Sequence, residues 1–273
     1  MTPPDTRSFA GALAGRRVVT TRAPEQSQEL VDRLRDAGAE ALSLPLVRFL
    51  EPEDATALDG EIDALEQFDW LVLTSANVVR FFLTRCRKMD RWPRAGKPKI
   101  AVVGPATRAA VVAAGLDAAL MPQAFHGAAL AAELAPQMTG QRVLLPRSDR
   151  AAADLPAALR RAGAMVTEVV AYRTAAPESV DGSIVERICR GEVDAVIFFS
   201  PSAVEEFVRV VGSEALGQIG ARVTLTAVGP VTADAIRAAG VRSPVEAAAA
   251  TSASVVETLE QHFALARAEN RRS

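Results

Sequence analysis

The chain has 273 residues, 49% of them apolar, which is enough for a substantial core in one large domain or two ordinary ones. Its formal net charge of −2, with 23% charged residues and no block of one sign, argues against a nucleic-acid binder built on phosphate contacts. An acidic small ligand held by local arginine stays compatible with that balance.

The first residues, MTPPDTRSFAGALAGRR, lack a basic start followed by an apolar segment, so no signal peptide is expected. No apolar run approaches the length of a membrane span. We expect a soluble cytoplasmic protein, with residues 1–14 and 264–273 as loose tails. RVVTTR at 17–22 predicts a short strand, followed by a helix carrying Leu30, Leu34 and Ala37 on one face. Gly38 then sits where a helix C-terminal cap wants positive φ. EALSLPLVRF predicts a second strand. WLVLTS and KIAVVG each predict a strand running into a helix, and another helix begins near Gly127.

The order then starts again. RVLLPR, a helix with Leu155, Leu159 and Ala162, Gly163, MVTEVVAYRT, AVIFFS and LTAVG follow in turn, with a last helix beginning near Ser252. VVGPATRAAVVAAG at 102–115 returns as AVGPVTADAIRAAG at 227–240, an offset of 125 residues. The same offset links Arg22 to Arg147, Gly38 to Gly163, Ser75 to Ser200 and Ala128 to Ala253. So long a period is a duplicated domain-sized unit rather than a solenoid. One departure is Pro156, which is comfortable only in a helix's first turn. The second copy's first helix should therefore start later than its counterpart, with Asp154 as its cap. Apolar strands alternating with helices indicate parallel sheets covered on both faces. The expected fold is α/β, with two doubly wound parallel-sheet lobes related by internal duplication.

In such sheets ligands bind outside the carboxyl ends of the strands. The polar residues there are Arg22, Ser75, Asn77, Gly104, Thr107, Arg147, Ser148, Ser200, Ser202, Gly229, Thr232 and Ser252. In the Gly-Pro-x-Thr turns, Gly permits a sharp turn and Pro suits the first helical position. The free N–H groups at a helix start suit carboxylate or phosphate. Ordinary capping explains any one such turn; several, duplicated, point to an anion-binding cleft. Arg22 and Arg147 end strands at that edge and suit carboxylates.

No GxGxxG opens a helix and no GxxxxGK[ST] occurs, so nucleotide cofactors lack their usual cradle. Two histidines, His126 and His262, and two cysteines, Cys86 and Cys189, are too few for a convincing zinc cluster. Both thiols are expected buried and reduced, and His126 is expected to cap a helix or lie on the surface. Tyr172 is the only tyrosine. It reads either as an amphipathic strand residue or as a phenol that donates or relays a proton.

Taken in order, VVTTR, LVLTSANVVRFF, IAVVGPAT, VVAYRT, AVIFFSPSAVEEF, AVGPVTADAIRAAG and TSASVVETL resemble uroporphyrinogen-III synthases, over about residues 16–263. The resemblance implies two lobes joined by two extended connectors, PLVRFLEPE and VAYRTAAPE, with the active site in the cleft between them. Lobe one would be 1–44 with 177–273, and lobe two 45–176. The repeat alone equally permits tandem halves cut near residue 140. The implied substrate is hydroxymethylbilane, a linear tetrapyrrole with eight carboxylates. The implied reaction loses its terminal hydroxyl as water, inverts the last pyrrole ring and closes the macrocycle. No metal or organic cofactor, no nucleic acid and no membrane are implied, and a monomer is expected. Tyr172 corresponds to the family's cleft tyrosine, which would help the hydroxyl leave. Thr232 matches a cleft threonine, and Ser200 and Ser202 a serine turn, with Thr107 and Ser75 as repeat counterparts. A noncatalytic two-lobed binding protein for an anionic small molecule is the alternative, separated from the enzyme by binding without conversion. A flavodoxin-like module is the other, and the repeat speaks against it.

Overall fold

The computed structural model describes residues 11–93 and 97–270. In chain order the elements are β1 (Arg17–Thr20), α1 (Pro24–Asp36), β2 (Glu40–Ser43), β3 (Arg48–Leu50), α2 (Thr56–Asp63), β4 (Trp70–Leu73), α3 (Ala76–Lys88), β5 (Lys99–Val102) and α4 (Pro105–Ala113). They continue with α5 (Gly127–Leu134), β6 (Arg142–Ser148), α6 (Asp154–Arg161), β7 (Met165–Ala175), α7 (Gly182–Cys189), β8 (Ala195–Phe198), α8 (Pro201–Val211), α9 (Ser213–Gly220), β9 (Thr224–Ala227), α10 (Pro230–Ala238), β10 (Val245–Glu246) and α11 (Ser252–Asn270).

The chain divides into two compact units. One holds the residues up to Arg48 and from Ala175 onward, and the other is Phe49–Thr174. The first contains the five-stranded sheet β10-β9-β8-β1-β2, and the second is built on β3-β7-β6-β4-β5. Pairing crosses the two copies of the repeat. β1 runs parallel to β8, with Val18 opposite Ala195, and β6 runs parallel to β4, with Trp70 opposite Val143. Each sheet thus takes its first strands from one copy and the rest from the other. Tandem halves cut near residue 140 do not occur, because β1 and β6 each hydrogen-bond into the other copy's sequence.

Both sheets are covered on two faces, and the strand alternation shows it. In the second unit, Leu71 and Leu73 pack with Ile62, Val79 and Phe82 from α2 and α3. Trp70 and Val72 turn the other way, onto Leu130 and Leu134 of α5 and Leu159 of α6. In the first unit, Val18, Ala195 and Ile197 meet Leu30 and Leu34 of α1 and Val255 and Leu259 of α11. Fully burying one such side chain contributes roughly 1.5–3 kcal/mol. Among the described residues no helix is long and apolar enough to cross a membrane.

Several expectations change. The first copy's second strand breaks into β2 and β3, whereas its counterpart β7 is continuous. α6 does start later than α1, but Asp154 is its first helical residue and Ala153 occupies the cap without a side-chain bond. The tails are partly built in: Ala12 and Leu13 are buried, and α11 runs to Asn270, because its apolar face packs on α1. Residues 1–10 and 271–273 lie outside the described residues. Cys86 is buried, but Cys189, at the end of α7, is exposed.

Gly38 and Gly163 adopt φ of +86° and +90° after their helices. A Cβ on Gly38 would lie 3.1 Å from the Ala14 Cα, whereas one on Gly115, at φ +78°, would meet nothing within 4 Å. Gly115→Ala should therefore cost about 1 kcal/mol from positive φ alone, and Gly38→Ala roughly twice that. Urea unfolding of the two variants checks this, and equal midpoints would show that the Ala14 contact is harmless.

Candidate active site

Tyr172 stands near the end of β7, 8% exposed, in the second unit's core. Phe81 of α3 stacks on its ring, with centroids 5.3 Å apart and planes 21° apart. Phe49 of β3 meets it edge-on at 5.5 Å and 86°. The apolar body of the ring accounts for its burial, and the phenol oxygen then needs polar partners. The Ser75 and Ser148 hydroxyls face it and favour its ionised form.

Each serine is fixed by backbone. Ser75 caps α3, its Oγ accepting from Val78 N at 3.2 Å. Ser148 ends β6, where the register with β7 slips between Arg147 and Ser148 and sets Ser148 opposite Tyr172. Such a bulge re-aims a side chain at a strand end. Ser148 Oγ accepts from Arg150 N at 3.1 Å. Burial pushes the Tyr172 phenol above its ordinary range, the Ser75 and Ser148 hydrogen bonds pull it back, Asp149 pushes it up and Arg80 pulls it down. The phenol therefore stays protonated at neutral pH, as a proton donor must.

The remaining second-unit residues are placed differently. Asn77 is half-buried in the first turn of α3. Gly104 caps α4, with φ of −160°, a conformation open to any residue. Its repeat partner Gly229 caps α10 at +94°, where glycine is needed. The two Gly-Pro turns thus share sequence but not backbone. Thr107 and Thr232 are both buried, at 5% and 3% exposure, within the first turns of α4 and α10. Arg147 does not join the Tyr172 cluster. Its guanidinium binds the Glu168 carboxylate and the carbonyls of Ala151 and Ala152. Those partners tie β6 to β7 and to the segment leading into α6, so this arginine is already used by the fold.

In the first unit Arg22 behaves differently from its repeat partner. Its guanidinium lies 4.0 Å from the Phe199 ring centroid, and burial lowers its pKa. Among the described residues no carboxylate pairs with it. Ser200 caps α8, accepting from Ala203 N at 3.3 Å, and Ser202 is half-buried in the same first turn. Ser252 is the first residue of α11, whose start is capped by Thr251 accepting from Ser254 N at 3.2 Å. His126 caps α5 through Nδ1, as expected of its position. Among the described residues no group of three or more His, Cys, Asp or Glu side chains gathers as a metal site.

The family profile described as uroporphyrinogen-III synthase HemD matches residues 28–257. The chain belongs to the uroporphyrinogen-III synthase family. It is 29% identical over 253 residues to a uroporphyrinogen-III synthase of Synechococcus elongatus, covering 91% of this chain and 96% of that one. It is 30% identical over 224 residues to a putative uroporphyrinogen-III synthase of Methanothermobacter thermautotrophicus, covering 79% and 86%. A mutant uroporphyrinogen III synthase from the extreme thermophile Thermus thermophilus shares the fold with a TM-score of 0.62 at 23% identity, covering 93% of this chain and all of that one. The Helicobacter pylori uroporphyrinogen-III synthetase does so at 0.57 and 17%, covering 92% and 99%. The synthase activity assigns the chain to the hydro-lyases.

Within this synthase, sequence reasoning missed Phe49, Phe81, Arg80 and Asp149. Differences between the repeats carry a signal for some of them. At the 125-residue offset, Tyr172 corresponds to Val47, Ser148 to Ala23 and Phe81 to Glu206. Only the second unit has the aromatic and hydroxyl set, while Glu206 in the first pairs with Arg209.

Arg147→Gln should lower the unfolding free energy by on the order of 2 kcal/mol, since among the described residues it leaves half-buried Glu168 with Arg160 alone as ion-pair partner. Chemical denaturation measures it; unchanged stability together with a raised KM would instead assign Arg147 to substrate.

Proposed function

We propose that this synthase converts hydroxymethylbilane to uroporphyrinogen III with Tyr172 as the acid that releases the terminal hydroxyl. The observation that carries the reading is a buried phenol, packed between two aromatic rings and facing two serine hydroxyls at the carboxyl edge of a parallel sheet. The C–O bond of the hydroxymethyl group breaks, its electron pair leaves with oxygen, and the Tyr172 proton completes a water molecule. The end pyrrole that carried the hydroxymethyl group becomes an azafulvene cation. The pyrrole at the other end attacks it through its substituted α-carbon, closure through the resulting spiro intermediate inverts that attacking ring, and the proton lost at the end balances the one Tyr172 gave.

The linear substrate also closes without an enzyme to the uninverted isomer, so much of catalysis is holding its end rings. The substrate's carboxylates suit the helix starts at Asn77, Gly104, Thr107, Ser200, Ser202, Gly229, Thr232 and Ser252, whose N–H groups attract anions. Arg22 is the strongest single anchor, because a half-buried guanidinium stacked on Phe199 gains most from an arriving carboxylate. Ser75 and Ser148 serve the phenol, and Arg147 serves the fold. We read the enzyme as a monomer, since one chain carries both units.

Freshly generated hydroxymethylbilane, supplied to the purified protein and followed by oxidation and separation of porphyrin isomers, tests the activity. Isomer III in excess over the enzyme-free control is expected. Isomer I alone, from folded protein, would leave a binding protein instead.

A further inference from the structure

α3 carries four basic residues, and three of them are settled by the fold. Arg85, Arg87 and Lys88 stand in its last turn, the end of a helix that favours cations. Arg85 donates to both carboxylate oxygens of Asp59 at 2.6 Å, Lys88 pairs with Glu51, and Arg87 lies over the Trp92 ring. Arg80 is the exception. It stands in the second turn, near the end that favours anions, and it is exposed. Among the described residues no carboxylate pairs with it.

What Arg80 does touch is aromatic. Its guanidinium carbon lies 4.6 Å from the centroid of the Phe81 ring, and Phe81 stacks on Tyr172 at 5.3 Å. A ring contact fixes a guanidinium without neutralising it. A bare positive charge therefore stands one ring away from the phenol. The nearby carboxylate of Asp149 is already engaged, since its Oδ1 accepts from Thr174 N at 3.0 Å and from Ser148 Oγ at 3.1 Å.

Loss of the hydroxyl makes the carbon that held it cationic. An unpaired guanidinium beside that carbon opposes the step by like-charge repulsion. The site therefore suits the reaction only once a negative group has joined Arg80. The substrate brings one, because the ring carbon next to the hydroxymethyl-bearing carbon carries a carboxymethyl group. Resting on the assignment of Tyr172 as the acid, we propose that Arg80 binds this carboxylate and so sets the hydroxymethyl group against the Tyr172 phenol. The fork of guanidinium N–H donors matches a carboxylate. The resulting ion pair leaves a near-neutral unit beside the forming cation. It also decides which end of the linear tetrapyrrole meets the acid.

A double-substitution cycle tests this, with one change in the enzyme and the other in the substrate. Two analogues of hydroxymethylbilane are made. One has methyl in place of that carboxymethyl group, and the other has methyl in place of a carboxymethyl group on an interior ring. Each analogue and the full substrate are supplied to wild type and to Arg80→Gln, with circular dichroism confirming the fold, and formation of the ring-inverted macrocycle above the enzyme-free rate is timed. On the full substrate Arg80→Gln should lower kcat/KM by on the order of tenfold, and Arg80→Lys should recover part of the loss. Wild type should lose a similar factor on the end-ring analogue, while Arg80→Gln should lose less than about twofold further on it. The interior-ring analogue should cost both proteins the same factor. A purely structural role for Arg80 would instead lower every substrate's rate equally. Equal losses of wild type and Arg80→Gln on the end-ring analogue overturn the proposal, as does full activity of Arg80→Gln on the unmodified substrate. The coupling is a ratio between substrates, so it is read separately from the effect of removing the Tyr172 hydroxyl. Isomer I alone from wild type would remove the synthase reading and this proposal with it.

Discussion

A phenol taken out of water must keep its oxygen hydrogen-bonded, and the edge of the second unit is arranged around that requirement. Phe49 and Phe81 bury the Tyr172 ring, which leaves one polar atom to satisfy. The Ser75 and Ser148 hydroxyls face it, and each is itself oriented by a backbone N–H. Leaving such a group unpaired costs on the order of 1–3 kcal/mol, comparable with a large part of what burying the ring contributes. The same constraint that makes the ring a safe core residue makes its proton hard to lose to water. A donor that keeps its proton until a suitable acceptor arrives is what the loss of a poor leaving group demands.

The parallel sheet supplies the remaining geometry. All strands of a parallel run end at one edge, so β4, β6 and β7 deliver Ser75, Ser148 and Tyr172 together although they lie far apart in sequence. The bulge after Arg147 makes the final adjustment by setting Ser148 opposite Tyr172. The duplicated first unit has the same edge but different contents. Its Val47 and Ala23 stand where the phenol and a serine would be, and its distinctive group is the Arg22 guanidinium on Phe199. Duplication therefore produced two similar scaffolds, of which one carries a proton donor and the other a cation that no carboxylate of the described residues claims.

Much of this was legible in the sequence. The offset of 125 residues showed the element order twice, because apolar strands and amphipathic helices have distinct periods, and glycines after helices mark positive φ. Ser75 and Ser148 were visible as polar residues at strand ends and Tyr172 as a strand residue or a proton-donating phenol, but not as one cluster. Their meeting depends on a one-residue register slip and on strand order, neither of which a local pattern contains. Arg147 shows the opposite case. Its place at a strand end matched Arg22, yet Glu168 and two loop carbonyls claim its guanidinium, and only the fold brings them there. The Gly-Pro turns show a subtler one, since the same motif covers an extended Gly104 and a left-handed Gly229.

The account's central claim is that the Tyr172 phenol supplies a proton during loss of the hydroxyl. Single-turnover formation of uroporphyrinogen III by Tyr172→Phe measures it most directly, since phenylalanine keeps the ring packing and removes only the O–H. The account predicts a rate roughly a hundredfold below wild type, the scale of a lost general acid, with substrate affinity within about threefold of wild type because the anchoring turns are untouched. A wild-type rate in the folded variant would contradict the claim and return Tyr172 to the core as an ordinary packing residue.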